Sequence, residues 1–452
     1  MAFSLSLMGQ PGMGQAGFVS DPFHSSVPAE QPSKQPLALS LDEAIARGLK
    51  SNLGVLVFTN QTSAARAERL RAIGEMLPSV SGAFTQVSQQ ISLASYGFSF
   101  PGIPSVMGPF GIQDLRGSVD AKIIDLNLSR NLKAATERAR AAALSEQDAR
   151  DLVVQAVASG YFTILADSAL AESLNMQVGV AEALYQIARD RHAAGVTPAI
   201  DELRSKVEWQ TQQQRLLAQQ NQVAKDKLAL AHMIGLAAGQ DFRLTDQVPF
   251  APLEGLDQDD LLRKALASRA DCRSAQGMVR AAELSRQAVD ATRYPTLSFS
   301  GNYGDIGNTL ATSHGTYFAS GTIRFYLFDN HLKAEQEAAS VDIKQRRDEL
   351  DSLKGRIDLE VRSALLDLKT AADQVAVARD RLDLATQTLQ QAQDRFAAGV
   401  TGNIEVVEAQ EAVSTATQSL ISSQFAHNLG KAALARAVGM AEDNLKQFMG
   451  SK

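Results

Sequence analysis

The fold class this sequence predicts is mainly α-helical, with a smaller set of paired β-strands, and three observations predict it. An eight-residue turn occurs twice, at Asp190–Thr197 and Asp394–Thr401, with seven of its eight positions identical. Two proline-free runs, about Leu128 to Ala193 and about Leu332 to Ala397, space their apolar residues by 3 or 4, the helical period. Four shorter stretches, two after Pro78 and two after Pro295, alternate apolar and polar residues, the strand period.

The repeated turn closes one alanine-rich helix and opens another, so each copy is a hairpin tip. Gly195 and Gly399 fall just past a helix end, where a left-handed backbone is needed and only glycine adopts it without strain. Thr197 and Thr401 are expected to cap the returning helices, with Pro198 at the first helical position of the first copy. The same offset of 204 matches Leu230, Ala231 and Gly235 with Leu434, Ala435 and Gly439. The chain is therefore a duplicated half, and its 452 residues form one architecture of two equivalent repeats.

Residues 1–38, rich in Gly, Pro, Ser and Gln, predict a flexible arm, followed by repeats at 39–250 and 251–445 and a tail at 446–452. Met1–Met8 has no basic residue before it and no cleavage site, which makes it a poor export signal; the signal lies upstream or the chain stays inside the cell. The net charge of −6, without a basic stripe, argues against nucleic acid as a partner. The single cysteine, Cys272, leaves no disulfide framework and no zinc cluster. Nowhere are there roughly 18 consecutive apolar residues, so any crossing of a membrane has to use strands.

In the first repeat Ser40, Leu41, Asp42 and Glu43 open a short capped helix, and a second helical run goes from about Val55 to Met76. Leu261–Ala267 and Ser274–Tyr294 repeat this pair at an offset of 217. The offset then falls by 13 before the tips, which places an insertion in the first copy. Tyr96–Gly111, with Phe98, Phe100, Pro101, Gly102, Pro104, Pro109 and Phe110, is the turn-rich loop that accommodates it. Strands are predicted at 79–92, 115–126, 296–304 and 316–328, and tips at 193–199 and 397–403.

Strand faces carrying Asp120, Lys122 or Arg324 suit a barrel with lipid outside and water inside, because a closed barrel is the strand structure a bilayer tolerates. Four strands are too few to close, so the barrel has to be shared among subunits. Each proline-free run is long enough for on the order of 100 Å of helix. The returning helices, about Ile200–Gly235 and Ile404–Gly439, are shorter, and the helix before each proline makes up most of the difference. The expected object is a tall coiled-coil wall with alanine at its seams, tips at one end and strands at the other.

With these elements in this order, the chain resembles the TolC family of bacterial outer membrane efflux proteins from about residue 39 to 445. The strand-to-helix junctions Ile123, Ile124, Asp125, Leu126 and Leu327, Phe328, Asp329, Asn330 are similar to the family's Leu-Phe-Asp-Gly-Gly segment, without its glycine pair. The resemblance implies a homotrimer with a 12-stranded transmembrane β-barrel, four strands from each chain, and an α-barrel tunnel in the periplasm. It implies passive outward conduction of small molecules, metals or proteins in a tripartite efflux or type I secretion system. The implied partners are a periplasmic adaptor (membrane fusion) protein, an inner membrane pump of RND or ABC type, and outer membrane lipid. No enzymatic activity and no cofactor are expected.

Asp201 and Glu405 lie six residues past the tip glycines, followed three residues on by Arg204 and Glu408. By resemblance Glu405 and Glu408 match the acidic rings at the tunnel's mouth, where the family has Asp, and Asp201 is their first-copy counterpart. Symmetry would gather the carboxylates and favour cations; equally, acids in a first helical turn complement the helix dipole. Gly195, Val196, Thr197, Gly399, Val400 and Thr401 are by resemblance the adaptor-docking tip, against a plain turn role. Arg191 and Arg395 either bridge neighbouring tips or meet the dipole at their helix ends. The histidines have no metal-ligand spacing, Trp209 belongs to a surface or a seam, and no phosphate loop or nucleophile with a base is present. The competing class of function is a soluble coiled-coil scaffold, which the alternating strands disfavour because their apolar faces would be bare.

Overall fold

Both proline-free runs fold as single helices. The computed structural model describes residues 21–28, 35–237, 239–246, 250–253, 255–326 and 330–442. Most of the predicted N-terminal arm, the 446–452 tail and the Leu327–Asp329 part of the second junction lie outside the described residues. The elements are β1 (Leu37–Leu39), α1 (Leu41–Ser51), α2 (Leu53–Gly74), β2 (Ser79–Ser92), β3 (Val106–Ile124), α3 (Leu126–Ala193) and α4 (Ala199–Met233). They continue as β4 (Phe242–Leu244), α5 (Gln258–Ser268), α6 (Ala270–Ala291), β5 (Thr296–Gly307), β6 (His314–Arg324), α7 (Leu332–Ala397) and α8 (Asn403–Ala437). Ser40 caps α1 by accepting from Glu43 N, and Asp257 caps α5 by accepting from Asp260 N.

The chain divides into two compact units. One comprises Met1–Thr59, Glu146–Ala270 and Lys354–Lys452; the other Asn60–Ser145 and Asp271–Leu353. The first unit holds an apolar core in which Val153, Val154, Val157, Tyr161 and Ile164 of α3 meet Leu230 and Met233 of α4, Ile234 at its C-cap, and Ala432 and Ala435 of α8. Among the described residues α3 is the one helix with a window apolar enough to cross a membrane, and 39% of that window is buried inside the protein. On α7, Ile357, Val361 and Leu368 are buried as their helical spacing predicts, while Leu365 is half-buried.

Two three-residue strands, β1 and β4, pair in parallel beside this core, with Leu37 opposite Phe242 and Leu39 opposite Leu244. The buried Tyr161 hydroxyl bonds Leu39 O and Asp246 Oδ2, and Asp246 in turn accepts from Leu41 N. Neither strand is visible as a period in the sequence, because three residues are too short to show one.

In the second unit four antiparallel strands form one sheet in the order β2-β3-β5-β6. The register puts Val80 opposite Val119, Phe84 opposite Leu115, Leu297 opposite Ile323 and Tyr303 opposite Tyr317, all on one face. Ser81 and Ser118, and Asp120 and Ser300, pair on the other face. There Arg116 of β3 bonds Asp114, Asn302 of β5 and Thr316 of β6.

Three strands differ from expectation in their boundaries. β3 begins at Val106, inside the stretch read as loop, because backbone pairing of Ile91 with Met107 and Ser92 with Val106 carries the hairpin through its Gly- and Pro-rich composition. β5 runs on to Gly307, and β6 starts at His314 and stops at Arg324, short of Phe325 and Tyr326. Alternation continues past Arg324, but β5 has no residue left to pair beyond Thr296.

Helix packing in this unit is close where side chains are small. A Cβ added to Gly277 of α6 would lie 3.2 Å from Ala141 Cβ of α3, and Ser274 Oγ donates to Ala141 O at 2.8 Å. Asn127 Nδ2 of α3 donates to Ala288 O of α6 at 2.8 Å, a second tie between the same helices.

Candidate functional site

The two hairpin tips, α3 to α4 and α7 to α8, belong to the first unit and are built alike. At the first, Gly195 takes φ 74°; its N–H donates to His192 O at 2.9 Å, and Val196 N donates to Arg191 O at 2.9 Å. At the second, Gly399 takes φ 73°, with the bonds Gly399 N to Phe396 O (3.1 Å) and Val400 N to Arg395 O (3.0 Å). This pair of bonds is the Schellman turn, which satisfies carbonyls that a helix end otherwise leaves bare. The turn leaves Val196 and Val400 at the apex, 71 % and 70 % exposed.

The threonine caps do not form. The first returning helix starts at Ala199 with Pro198 as its cap residue, and the second at Asn403 with Gly402 as its cap, neither with a side-chain cap bond. In the first copy the Thr197 carbonyl is engaged by His192 Nδ1 at 3.1 Å, and Thr197 Oγ1 has no hydrogen-bond partner. Local contact with the outgoing helix thus holds Thr197 one residue outside the position its sequence suggests.

The two arginines behave differently. Arg191 reaches from the first tip to the second: its guanidinium lies 4.4 Å from the centre of the Phe396 ring, and Nη1 donates to Phe396 O at 3.4 Å. A cation over a ring face is attracted by the ring's quadrupole. Arg395 stays within its own hairpin and pairs with Glu405 at 3.3 Å. Position 192/396, the one difference between the two turns, therefore decides the asymmetry: Phe396 offers a ring where His192 instead bonds its own turn.

Of the three candidate gate carboxylates, Glu405 is half-buried and paired, Glu408 is exposed and Asp201 is half-buried. Next to them the first turns of α4 and α8 form a groove lined by Ile200, Leu203, Arg204, Val207, Glu208, Ile404 and Val407. Ile200, Leu203, Val207 and Ile404 are each about half exposed or more. Farther along, Arg215 of α4 and Glu411 of α8 pair at 2.8 Å. The groove was not singled out from sequence, although the spacing of Ile200, Leu203 and Val207 on an otherwise polar helix is the signal that marks it.

Trp209 stacks on Tyr185 at 5.6 Å, a seam position between α3 and α4. Among the described residues no group of His, Cys, Asp and Glu is arranged to hold a metal ion, and Cys272 is buried with Gln276 Nε2 3.6 Å from its Sγ.

The sequence model of the outer membrane efflux protein family matches residues 123–236 and 261–440, more than half of the chain. The toluene efflux pump outer membrane protein TtgC of Pseudomonas putida is 24% identical over 419 residues, covering 88% of this chain and 83% of its own. The antibiotic efflux pump outer membrane protein ArpC of Pseudomonas putida matches to the same extent. Among solved structures, the Campylobacter jejuni CmeC outer membrane channel superposes with a TM-score of 0.78 at 14% identity, over 98% of both chains. The outer membrane protein VceC of Vibrio cholerae gives 0.76 at 18% identity, over 88% of this chain and 96% of its own. These likenesses establish the fold: long helical hairpins with a four-stranded β element, as in the TolC-like channels. By the family match the chain belongs to the outer membrane efflux proteins, a bacterial family that transports and performs no catalysis.

Proposed function

We propose that three copies of this chain form one outer membrane channel that conducts small molecules passively outward, as the exit duct of a tripartite efflux system. The observation that carries this reading is the sheet. Its four strands end in two unpaired edges, β2 and β6, and one face bears Val80, Phe84, Leu115, Tyr303, Tyr317 and Ile323, all more than half exposed. Unpaired backbone and a bare apolar face are both satisfied if β2 of one copy pairs with β6 of the next in a closed, lipid-facing barrel. The scaffold reading leaves that face uncovered, and membership of an outer membrane family removes its basis. The repeat boundaries at 39–250 and 251–445 belong to the same proposal, each repeat contributing two strands and one hairpin to the shared wall.

The tips and the groove beside them are the docking surface for a periplasmic adaptor that links the channel to an inner membrane pump, with the helical hairpins extending into the periplasm. Exposure of Val196, Val400, Ile200, Leu203 and Ile404 supports this role. For the gate, Glu408 and Asp201 are the stronger candidates, because Arg395 already compensates Glu405. The named pump proteins that the chain resembles act on toluene and antibiotics, which favours small organic cargo.

The native mass of the detergent-extracted protein tests the channel. About three chain masses, with conductance in planar bilayers, is expected; a monomer or dimer that needs no detergent would refute it. In single-channel recordings Glu408→Gln is expected to lower cation preference more than Glu405→Gln. The reverse order would show that Arg395 does not screen Glu405.

A further inference from the structure

One turn of α8 in the first unit buries a cluster of bases. His427 and Lys431 are 0 % exposed and Asn428, between them, 1 %. No hydrogen bond of ordinary geometry reaches either imidazole nitrogen of His427, Asn428 Oδ1 or Lys431 Nζ, although the Asn428 side chain lies close enough to the ring to favour its protonated form. His427 and Lys431 stand four residues apart, on one face of the helix. Against that turn lies Phe250, its ring centre 4.8 Å from that of His427. Outside Phe250 sits the exposed Arg379 of α7, its guanidinium 5.0 Å from the same ring centre.

Two features set this cluster apart from ordinary buried polar groups. Buried ammonium groups are normally held by a carboxylate or by carbonyls, and an unpaired one is costly. Here His427 and Lys431 share one helix face with Arg379 on Phe250 beside them, and no carboxylate among the described residues pairs with any of the three. Elsewhere in the same unit the buried cations are matched: Arg269 by Glu360 and by the Ala437 carbonyl, and Arg436 by Asp148.

We propose that the His427, Asn428 and Lys431 cluster is a binding site for a small monovalent anion of chloride size. The Lys431 ammonium supplies charge and donors, the His427 ring supplies an N–H, and Arg379 draws the anion in from the surface. Without an anion, burial lowers the pKa of Lys431; burial first and then the charge of Lys431 lower that of His427, against an opposing contribution from the Asn428 side chain. An anion at the site reverses both tendencies, because an opposite charge favours the protonated forms. Occupancy thereby turns a liability in the packing of α8 into a bonded centre, and makes the unit's stability depend on the anion.

Thermal unfolding of the full-length protein, with sodium chloride exchanged for sodium gluconate at constant ionic strength, reads the site, since gluconate is too large to enter. The melting temperature is expected to rise saturably with chloride. Lys431→Met, which keeps the chain length and removes the charge, should melt at one temperature in both salts. Equal melting of the unaltered protein in the two salts overturns the proposal, as does a chloride response that survives in Lys431→Met. Crystals soaked in sodium bromide give a reading independent of any variant. An anomalous peak within hydrogen-bonding distance of Lys431 Nζ supports the site, and its absence overturns it.

Discussion

Gly195 and Gly399 at the hairpin tips make the same turn as Gly235 and Gly439 at the hairpin roots, where α4 and α8 end. All four take φ between 71° and 75°, and all four close a helix with the same pair of backbone bonds or its outer member: Leu236 N donates to Ala231 O, and Met440 N to Ala435 O, at the roots. What surrounds them differs. A Cβ added at either tip meets nothing within 4 Å, whereas at Gly235 it would lie 2.3 Å from Ser51 Oγ, and at Gly439 2.9 Å from Arg269 Cα. One backbone device thus serves two purposes, an open apex and a packed joint.

The roots are packed because each is latched by the break between two short helices. Ser51 Oγ donates to Ile234 O and Asn52 Nδ2 to Met233 O. In the second repeat Ser268 Oγ donates to Val438 O and Arg269 Nη1 to Ala437 O. These pairs are equivalent under the duplication, although the serines match at the larger sequence offset and the carbonyls at the smaller. The 13-residue difference is taken up in between, where β2 and β3 outrun β5 and β6.

The sharpest way to break the comparison is at a root. Gly439→Ala combines strained φ with a clash against backbone, and is expected to cost about 2–4 kcal/mol in chemical denaturation of the purified protein. Gly235→Ala should cost about as much, because the added Cβ would lie 2.6 Å from Ser51 Cβ and 3.3 Å from Val27 O, and would displace the Ser51 hydroxyl from its bond to Ile234 O. If either matched the tip variants, the latch would be absent in solution.

At the tips Gly195→Ala and Gly399→Ala carry the left-handed strain alone, an expected loss of about 1 kcal/mol each. Their larger consequence should appear in adaptor crosslinking, as the apex changes shape with little change in stability. A further small effect lies between the tips: Arg191→Ala removes the contact with the buried Phe396 ring, worth on the order of 1 kcal/mol at a part-buried site. Arg395→Ala should leave that coupling intact, since Arg395 pairs within its own hairpin. A double-mutant cycle of Arg191 with Phe396 measures it, and zero coupling would mean the tips are held apart from each other.

Much of this architecture was legible in the residues. Positive-φ glycines, proline breaks and a change of period from helical to alternating are local signals, dictated by the backbone itself. Because duplication doubles each of them, the hairpins and the four strands stood out. Other features were not local. Residues 106–111 read as loop and fold as strand because β2 supplies hydrogen-bond partners. Thr197 reads as a cap, yet His192 draws its carbonyl away. The groove of α4 and α8 joins residues some 200 positions apart.

The sequence by itself determined that the chain is a doubled helical hairpin with paired amphipathic strands, since periodicity and turn chemistry act between near neighbours. Only the tertiary structure decided which arginine crosses to the other tip, which carboxylate keeps its charge free, and which bases are buried without a carboxylate partner. Those outcomes depend on what side chains meet across helices, and equivalent positions in the two repeats meet different partners.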